Sequence, residues 1–259
     1  MDLKFKEKFI ELWGKYFGGA DLPIVFYYTD EENSAEKVQP AKRHRCVICD
    51  LAKVRNGKPL YFDIDAIGCG GGKRYLGFEQ KLRLNFEYFL SYGIPGKMDG
   101  ERYKKSPELV KEQLKNLPPF EAPGKYIVFK RWDGIDEGNE PLVVVFFATC
   151  DVLSGLYTLA NYDEHDQYGV IAPFSAGCGS IVHHPYKELQ SQHPRAILGM
   201  FDVSARPCVP SEVLSFAVPW SKFVRMINNM EESFLITESW NNVKKRIINS
   251  KYSENQEQE

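Results

Sequence analysis

The chain has 259 residues, of which 43% are hydrophobic and 26% charged, with a formal net charge of −2 at pH 7. Because 33 basic and 35 acidic side chains are interspersed, no basic face predicts binding to nucleic acid or to an anionic membrane. No stretch approaches about 18 consecutive apolar residues, and the start of the chain lacks the continuous apolar segment of a secretory signal. We therefore expect a cytoplasmic protein whose six cysteines are thiols or metal ligands rather than a disulfide frame.

The first part of the chain predicts two helices that each lead into a strand. Apolar residues recur at helical spacing over 5–17 and Gly18 supplies the stop, after which 23–28 has the composition of a buried strand. Residues 46–55 predict a second helix, which begins at a Cys-x-x-Cys after a polar loop. Residues 58–68 alternate apolar and polar side chains, which predicts a half-buried strand running into a glycine-rich loop.

The rest of the chain alternates predicted helices and strands without a linker or a repeat unit that would divide it. We expect one mixed α+β domain over 1–250, a β-sheet with helices packed against it, and a disordered polar tail over 251–259. The predicted strands are 125–132 and 140–150, the latter buried on both faces. The predicted helices are 79–92, 106–117, 152–162 with Asp151 as its cap, 220–230 and 239–249.

Two stretches place a cysteine between glycines, "GCGGGKR" at 68–74 and "GCG" at 177–179. The first is not a Walker loop, because Arg74 stands where Ser or Thr should follow Lys73, and its glycines do not fit the G-x-G-x-x-G pattern. Glycine flanks let the backbone approach a bulky group and direct amides at sulfur. The candidate cofactor-binding residues are Gly68, Gly70, Gly71, Lys73, Arg74, Gly177, Gly179 and Arg206.

The cysteines predict one shared site. Cys46 and Cys49 lie opposite the apolar stripe of their predicted helix, where the helix dipole and the basic residues of 42–45 would favour thiolates. We expect their sulfurs to converge with those of Cys69 and Cys178 as four metal ligands. Dispersed thiolates among glycines favour an iron-sulfur cluster, first of all a four-iron cluster. Zinc is the second alternative and a redox-active Cys-x-x-Cys the third.

Four further residues could either contribute to this site or have a structural role. Cys150 ends the buried strand over 140–150, so its sulfur is expected in packing, and Cys208 is expected to be structural and a reserve ligand. His183 could supply a nitrogen ligand, although a His-His-Pro turn more commonly forms an exposed loop. Arg206 is expected to bind either an anion in the site or a structural carboxylate.

The order of the motifs resembles a known family. "CDLAKVRNGKPLYFD", "GCGGGKRYLGF", "FFATCDVLSGLYTLANY", "SAGCGSIVHHP" and "FDVSARP" together are similar to the uncharacterised prokaryotic family of domain of unknown function 169, the ArCR group. The family's cysteine positions match Cys49, Cys69 and Cys178, and its arginine matches Arg206. The resemblance implies a prokaryotic single-domain protein and brings no established reaction.

The number of thiolate ligands separates two uses of a cluster. Three ligands would leave one iron open to substrate, whereas Cys46 as a fourth would complete an electron-transfer site that serves a redox partner. We therefore expect a cytoplasmic iron-sulfur protein, and the sequence does not decide whether it is an enzyme. The alternative is a metal-free module that binds a small anionic metabolite through the glycine stretches with Lys73, Arg74 and Arg206.

Overall fold

A mixed β-sheet organises the computed structural model, which describes residues 1–32 and 34–256, with side chains as far as 250. The strands are β1 (Ile24–Thr29), β2 (Glu36–Lys37), β3 (Leu60–Phe62), β4 (Gly93–Ile94), β5 (Met98–Asp99), β6 (Tyr126–Arg131), β7 (Val143–Ala148), β8 (Val170–Ile171), β9 (Ala196–Gly199) and β10 (Leu214–Pro219). Eight of them form one sheet in the order β2-β3-β6-β1-β7-β10-β9-β8, while β4 and β5 pair separately. The pairs β2/β3 and β8/β9 are parallel and the other neighbours are antiparallel.

Helices cover both faces of this sheet. The α-helices are α1 (Leu3–Phe17), α2 (Val47–Arg55), α3 (Gly70–Tyr75), α4 (Phe86–Leu90), α5 (Pro107–Asn116), α6 (Cys150–Ala160), α7 (His184–Glu188), α8 (Trp220–Asn229) and α9 (Glu238–Gln256). A π-helical turn covers Gly179–His183, and 3-10 turns cover Trp132–Gly134, Arg206–Cys208 and Phe234–Ile236. The expected single α+β domain with helices packed on a sheet is confirmed.

Strand β7 shows how the sheet separates two cores. Successive side chains of a strand point to opposite faces, and both faces of β7 are buried, as its apolar run predicts. Val144 and Phe146 pack with α1, α6, α8 and α9 in what we call the helical-face core. Val145 and Phe147 pack on the other side with α2 and with Cys178 and its neighbours, in the cysteine-face core. The candidate site therefore lies on one face of the sheet.

Several local predictions differ from the structure. The strand expected over 58–68 is only β3, and its three residues are all buried, because Leu60 and Phe62 pack in the cysteine-face core and Tyr61 packs in a separate cluster on the other side. Within 79–92 only α4 is helical, and Thr149 rather than Asp151 caps α6. The glycine-rich loop becomes the short helix α3.

The last helix, α9, runs into the segment that we expected to be a disordered tail. Helix α9 extends to Gln256, within the segment 251–259 where we expected disorder. Residues 257–259 lie outside the described part, so the disorder of this tail stays a prediction.

Among the described residues, no helix combines the length and the apolar character required to cross a membrane.

Candidate cysteine site

Helix α2 positions the first two cysteines. Cys46 is its N-cap residue, and the backbone N–H of Cys49 donates to the Cys46 carbonyl at 3.1 Å, which closes the first turn. Val47, Ile48, Leu51 and Val54 of the same helix are buried, whereas Cys46 is half-buried and Cys49 exposed. The apolar side of α2 thus packs on the sheet and its N-terminal end presents sulfur outward.

Cys208 joins this pair from a distant part of the chain. It lies in the 3-10 turn Arg206–Cys208 and forms a disulfide with Cys49, with the two Cα atoms 4.6 Å apart. The Sγ atoms of Cys46, Cys49 and Cys208 all lie within 4.8 Å of one another. Two expectations were wrong here: a disulfide does form, and Cys208 belongs to the group of clustered cysteines rather than standing in reserve. No local signal could have found this, because the two cysteines are 159 residues apart.

Glycine lets the loop that carries Cys69 approach the beginning of α2. A Cβ atom on Gly68 would lie 2.6 Å from the Arg43 carbonyl oxygen and 2.9 Å from the Arg45 nitrogen, so only glycine fits against this backbone. A Cβ atom on Gly72 would meet the Val47 side chain at 3.5 Å. Cys69 itself is the N-cap residue of α3 and is half-buried.

The second Gly-Cys-Gly packs against the same end of α2. A Cβ atom on Gly177 would lie 3.3 Å from the Ile48 side chain and 3.0 Å from the Met200 sulfur. The Gly177 N–H donates to the Asp202 carboxylate at 3.1 Å, which fixes the loop. Cys178, which follows, is buried and packs in the cysteine-face core.

Electrostatic interactions link Cys46, Cys69 and Cys178, three of the cysteines outside the disulfide. Burial raises the pKa of the Cys178 thiol well above its ordinary value, and negative charge on Cys69, Cys46 and Asp202 raises it further. Burial also raises the pKa of Cys46, although the N–H groups of α2 act in the opposite direction. The expectation that neighbouring cations favour a thiolate is therefore wrong for Cys46, one reason being that Arg45 is paired with Asp50. A bound cation would supply the missing positive charge.

The two arginines assigned to cofactor binding both donate to backbone carbonyl groups. Arg206 donates to the carbonyl oxygens of Pro210, Ser211 and Val213, which fixes the turn that carries Cys208, and it forms no ion pair with a carboxylate of the described residues, so the expected structural carboxylate is wrong. Arg74 is buried and donates to the Gln80 carbonyl at 2.8 Å.

The remaining candidate residues differ in what surrounds them. Lys73 lines an open cleft together with Gly68 and Gly70. A Cβ atom on Gly71 would only touch the Cys69 sulfur at 3.7 Å, whereas one on Gly179 would clash with Ser175 at 2.1 Å. Gly179 is thus required by packing, and Gly71 is not.

The predicted burial is wrong for both Cys150 and His183. Cys150 is exposed rather than packed, because β7 ends at Ala148 and the cysteine begins α6. His183 is fully buried rather than exposed, between the rings of Tyr75 and Phe120. Burial lowers the pKa of His183 to about 3, with further lowering by His184 and nearby cations. The Pro118 carbonyl lies beside the ring, but neither ring nitrogen completes a hydrogen bond of good geometry.

The structure thus brings Cys46, Cys49 and Cys208 together and packs the loops of Cys69 and Cys178 against the same helix end. No match is found among curated proteins or among solved structures. The family of DUF169, described as uncharacterised ArCR, matches residues 20–229, which include all of these cysteines. The chain belongs to the DUF169 family.

Proposed function

We propose that the protein holds a metal centre on cysteine thiolates, and that this centre is an iron-sulfur cluster. The observation that carries the proposal is the approach of the Cys46, Cys49 and Cys208 sulfurs to within 4.8 Å of one another. Cys49 and Cys208 are joined in a disulfide, and once it is reduced, three thiolates this close would repel one another unless a cation neutralised them. The loops of Cys69 and Cys178 pack against the same end of α2, and although their sulfurs are not among the three within 4.8 Å, we propose them as two more donors.

The proposed ligands are Cys46, Cys49, Cys69 and Cys178, with Cys208 as an alternative to one of them. A sulfur in a disulfide carries no thiolate charge, so Cys49 and Cys208 are available as ligands only in the reduced protein. The disulfide and the metal centre are therefore alternative states of the same residues. A reducing cytoplasm, where we propose that the protein acts, would favour the thiols.

Two features bear on the choice between zinc and an iron-sulfur cluster. Thiolates around one zinc ion have metal-sulfur bonds of about 2.3 Å and so lie roughly 3.8 Å apart, a spacing that Cys49 and Cys208 can adopt only when their disulfide is reduced. Ligands of a four-iron cluster lie farther apart, on the order of 6 to 7 Å, and need Cys49 and Cys208 to separate. Both centres take at most four cysteine ligands, so the number of cysteines does not separate them. The dispersal of Cys46, Cys49, Cys69, Cys178 and Cys208 along the chain, with glycines on both sides of Cys69 and Cys178, favours the cluster, and zinc is the second candidate.

The centre would transfer electrons to a redox partner or bind a substrate at an open iron. Purification under anaerobic, reducing conditions, followed by iron, zinc and acid-labile sulfide analysis and visible absorption, tests the proposal. We expect iron and sulfide in equal amounts and a brown protein. Zinc without sulfide would replace the cluster by the second candidate, and a reduced protein that holds no metal after anaerobic reconstitution would overturn the metal centre altogether.

A further inference from the structure

A cleft opens beside the Cys69 loop. Its volume of about 520 Å³ is within the size range of small-molecule sites. Residues 40–43 form one wall, and residues on both sides of Cys69, including Gly68 and Gly70, form the other. We call this the basic cleft, for the reason given next. It lies next to the thiol site, and its lining does not depend on a metal.

Three cations line the basic cleft without partners. Lys42 and Arg43 are exposed and Lys73 is half-buried, and within residues 1–32 and 34–250 none of the three forms an ion pair or a side-chain hydrogen bond. The contrast is Arg45, two residues farther along, which is paired with Asp50. Unneutralised cations on a concave surface raise the local concentration of anions.

Two carboxylates line the same cleft. Asp65 and Glu79 do not form ion pairs with the three cations, although all five side chains border one space. Side chains of opposite charge that border a cavity without touching can each bind a different group of one ligand. An anionic group would bind Lys42, Arg43 and Lys73, while a hydroxyl or amino group would donate to Asp65 or Glu79.

The two walls of the cleft pack directly against each other at Gly68. Gly68 holds them together, since a Cβ atom there would lie 2.6 Å from the Arg43 carbonyl oxygen and 2.8 Å from the Ala41 side chain. Gly70 has the opposite surroundings: a Cβ atom there would meet no heavy atom within 4 Å, so a side chain at this position would enter open space without disturbing the fold. A preformed site loses less conformational entropy on binding.

We propose that the basic cleft binds a small organic anion that carries a carboxylate or phosphoryl group together with a hydroxyl or amino group. Lys42, Arg43 and Lys73 hold the anionic group, and Asp65 and Glu79 select the donor group. The bound molecule lies beside Cys69, so the cleft would present it to the thiol site. This binding does not require the proposed metal, and its failure is therefore separate from failure of the metal centre.

Calorimetric titration of the full chain under reducing conditions tests the proposal with three probes: inorganic phosphate, glycerol 3-phosphate and glutamate. We expect glycerol 3-phosphate or glutamate to bind, and to bind more tightly than inorganic phosphate, because only these two carry a hydroxyl or amino group separate from the anionic group. The tighter of the two identifies the anionic group as phosphoryl or carboxylate. Absence of binding by both would overturn the proposal.

Matched variants locate the site. The triple change Lys42→Gln, Arg43→Gln, Lys73→Gln should weaken binding by about tenfold or more, because hydrogen bonds to charged groups are lost. Its control is Lys97→Gln, Lys105→Gln, Lys245→Gln, which removes the same charge from exposed positions outside the cleft. Gly70→Leu should block binding while leaving the unfolding temperature unchanged. Equal weakening by the control, or undiminished binding by Gly70→Leu, would contradict the assignment.

Discussion

Cys49 and Cys208 are joined by a disulfide although 159 residues separate them in the sequence. The bond ties the first turn of α2 to the 3-10 turn Arg206–Cys208 that precedes β10. Both ends belong to the cysteine-face side of the sheet, so the covalent link reinforces contacts that the packing already makes. Because the same sulfurs are proposed metal ligands, the oxidation state of this pair affects both stability and metal content.

The first prediction concerns stability. Cys208→Ser should lower the free energy of unfolding by about 2–4 kcal/mol in oxidising buffer with a chelator present, because the unfolded chain loses a long-range crosslink. In excess dithiothreitol the variant and the parent should differ by less than about 0.5 kcal/mol. Urea unfolding in both buffers measures the difference. Cys150→Ser, at an exposed cysteine, is the control, and an equal loss in this control would contradict the prediction.

The second prediction separates cysteine position from cysteine number. Cys69→Ala should abolish or transform the metal centre, because a methyl group cannot coordinate iron. Cys150→Ala should retain the full metal content and change stability by less than about 0.5 kcal/mol, since Cys150 is exposed at the start of α6. Iron content and visible absorption of anaerobic samples decide between the two residues, and loss of iron only in Cys150→Ala would reverse the assignment.

The third prediction concerns acid stability. The pKa of His183 is lowered from 6.5 to about 3 in the folded protein, mainly by burial. The unfolded chain therefore binds the proton first, so the contribution of His183 to stability is full above pH 6.5 and decreases as the pH falls toward 3. Over this interval the free energy of unfolding should drop by up to about 1.4 kcal/mol per pH unit for this one proton.

His183→Phe keeps an aromatic ring between Tyr75 and Phe120 and removes the proton-binding site. Its free energy of unfolding should depend less steeply on pH than that of the parent, as measured by urea unfolding between pH 4 and 7. His184, whose pKa burial lowers to about 4, should account for part of the remaining dependence. His44→Gln, at an exposed position, is the control, and identical slopes for the parent and His183→Phe would contradict the prediction.

The fourth prediction compares two glycines inside helices. A Cβ atom on Gly155 of α6 would lie 2.3 Å from the Trp240 ring and 2.8 Å from the Phe17 ring, both in the helical-face core. Gly155→Ala should therefore destabilise the protein by about 1–3 kcal/mol through overpacking. Gly14→Ala in α1 meets nothing within 4 Å and should stabilise the helix by about 0.5–1 kcal/mol. Thermal unfolding of both variants gives the two signs, and a stabilised Gly155→Ala would show that this contact is absent.

The sequence by itself determined the elements whose causes are local. The apolar spacing of α1 and its stop at Gly18, the strands β1, β6 and β7, and the Cys-x-x-Cys that opens α2 all follow from periodicity and capping. Helical periodicity over 79–92 was misleading, because only α4 forms a helix there. Local pattern also placed Cys46 and Cys49 away from the buried stripe of their helix, which was enough to indicate a site.

Only the tertiary structure decided which cysteines meet. Cys208 lies in the cysteine cluster and Cys150 is exposed, yet both have apolar neighbours in the sequence. Nothing in the local sequence distinguishes the two. The same holds for His183, which the sheet and its neighbouring rings bury, and for Arg206, whose guanidinium binds nearby carbonyls. The environment of a side chain depends on which strands become neighbours in the sheet. Strand β1 pairs with β6 and β7, which lie about a hundred residues away in the sequence. No short segment of the sequence encodes this strand order.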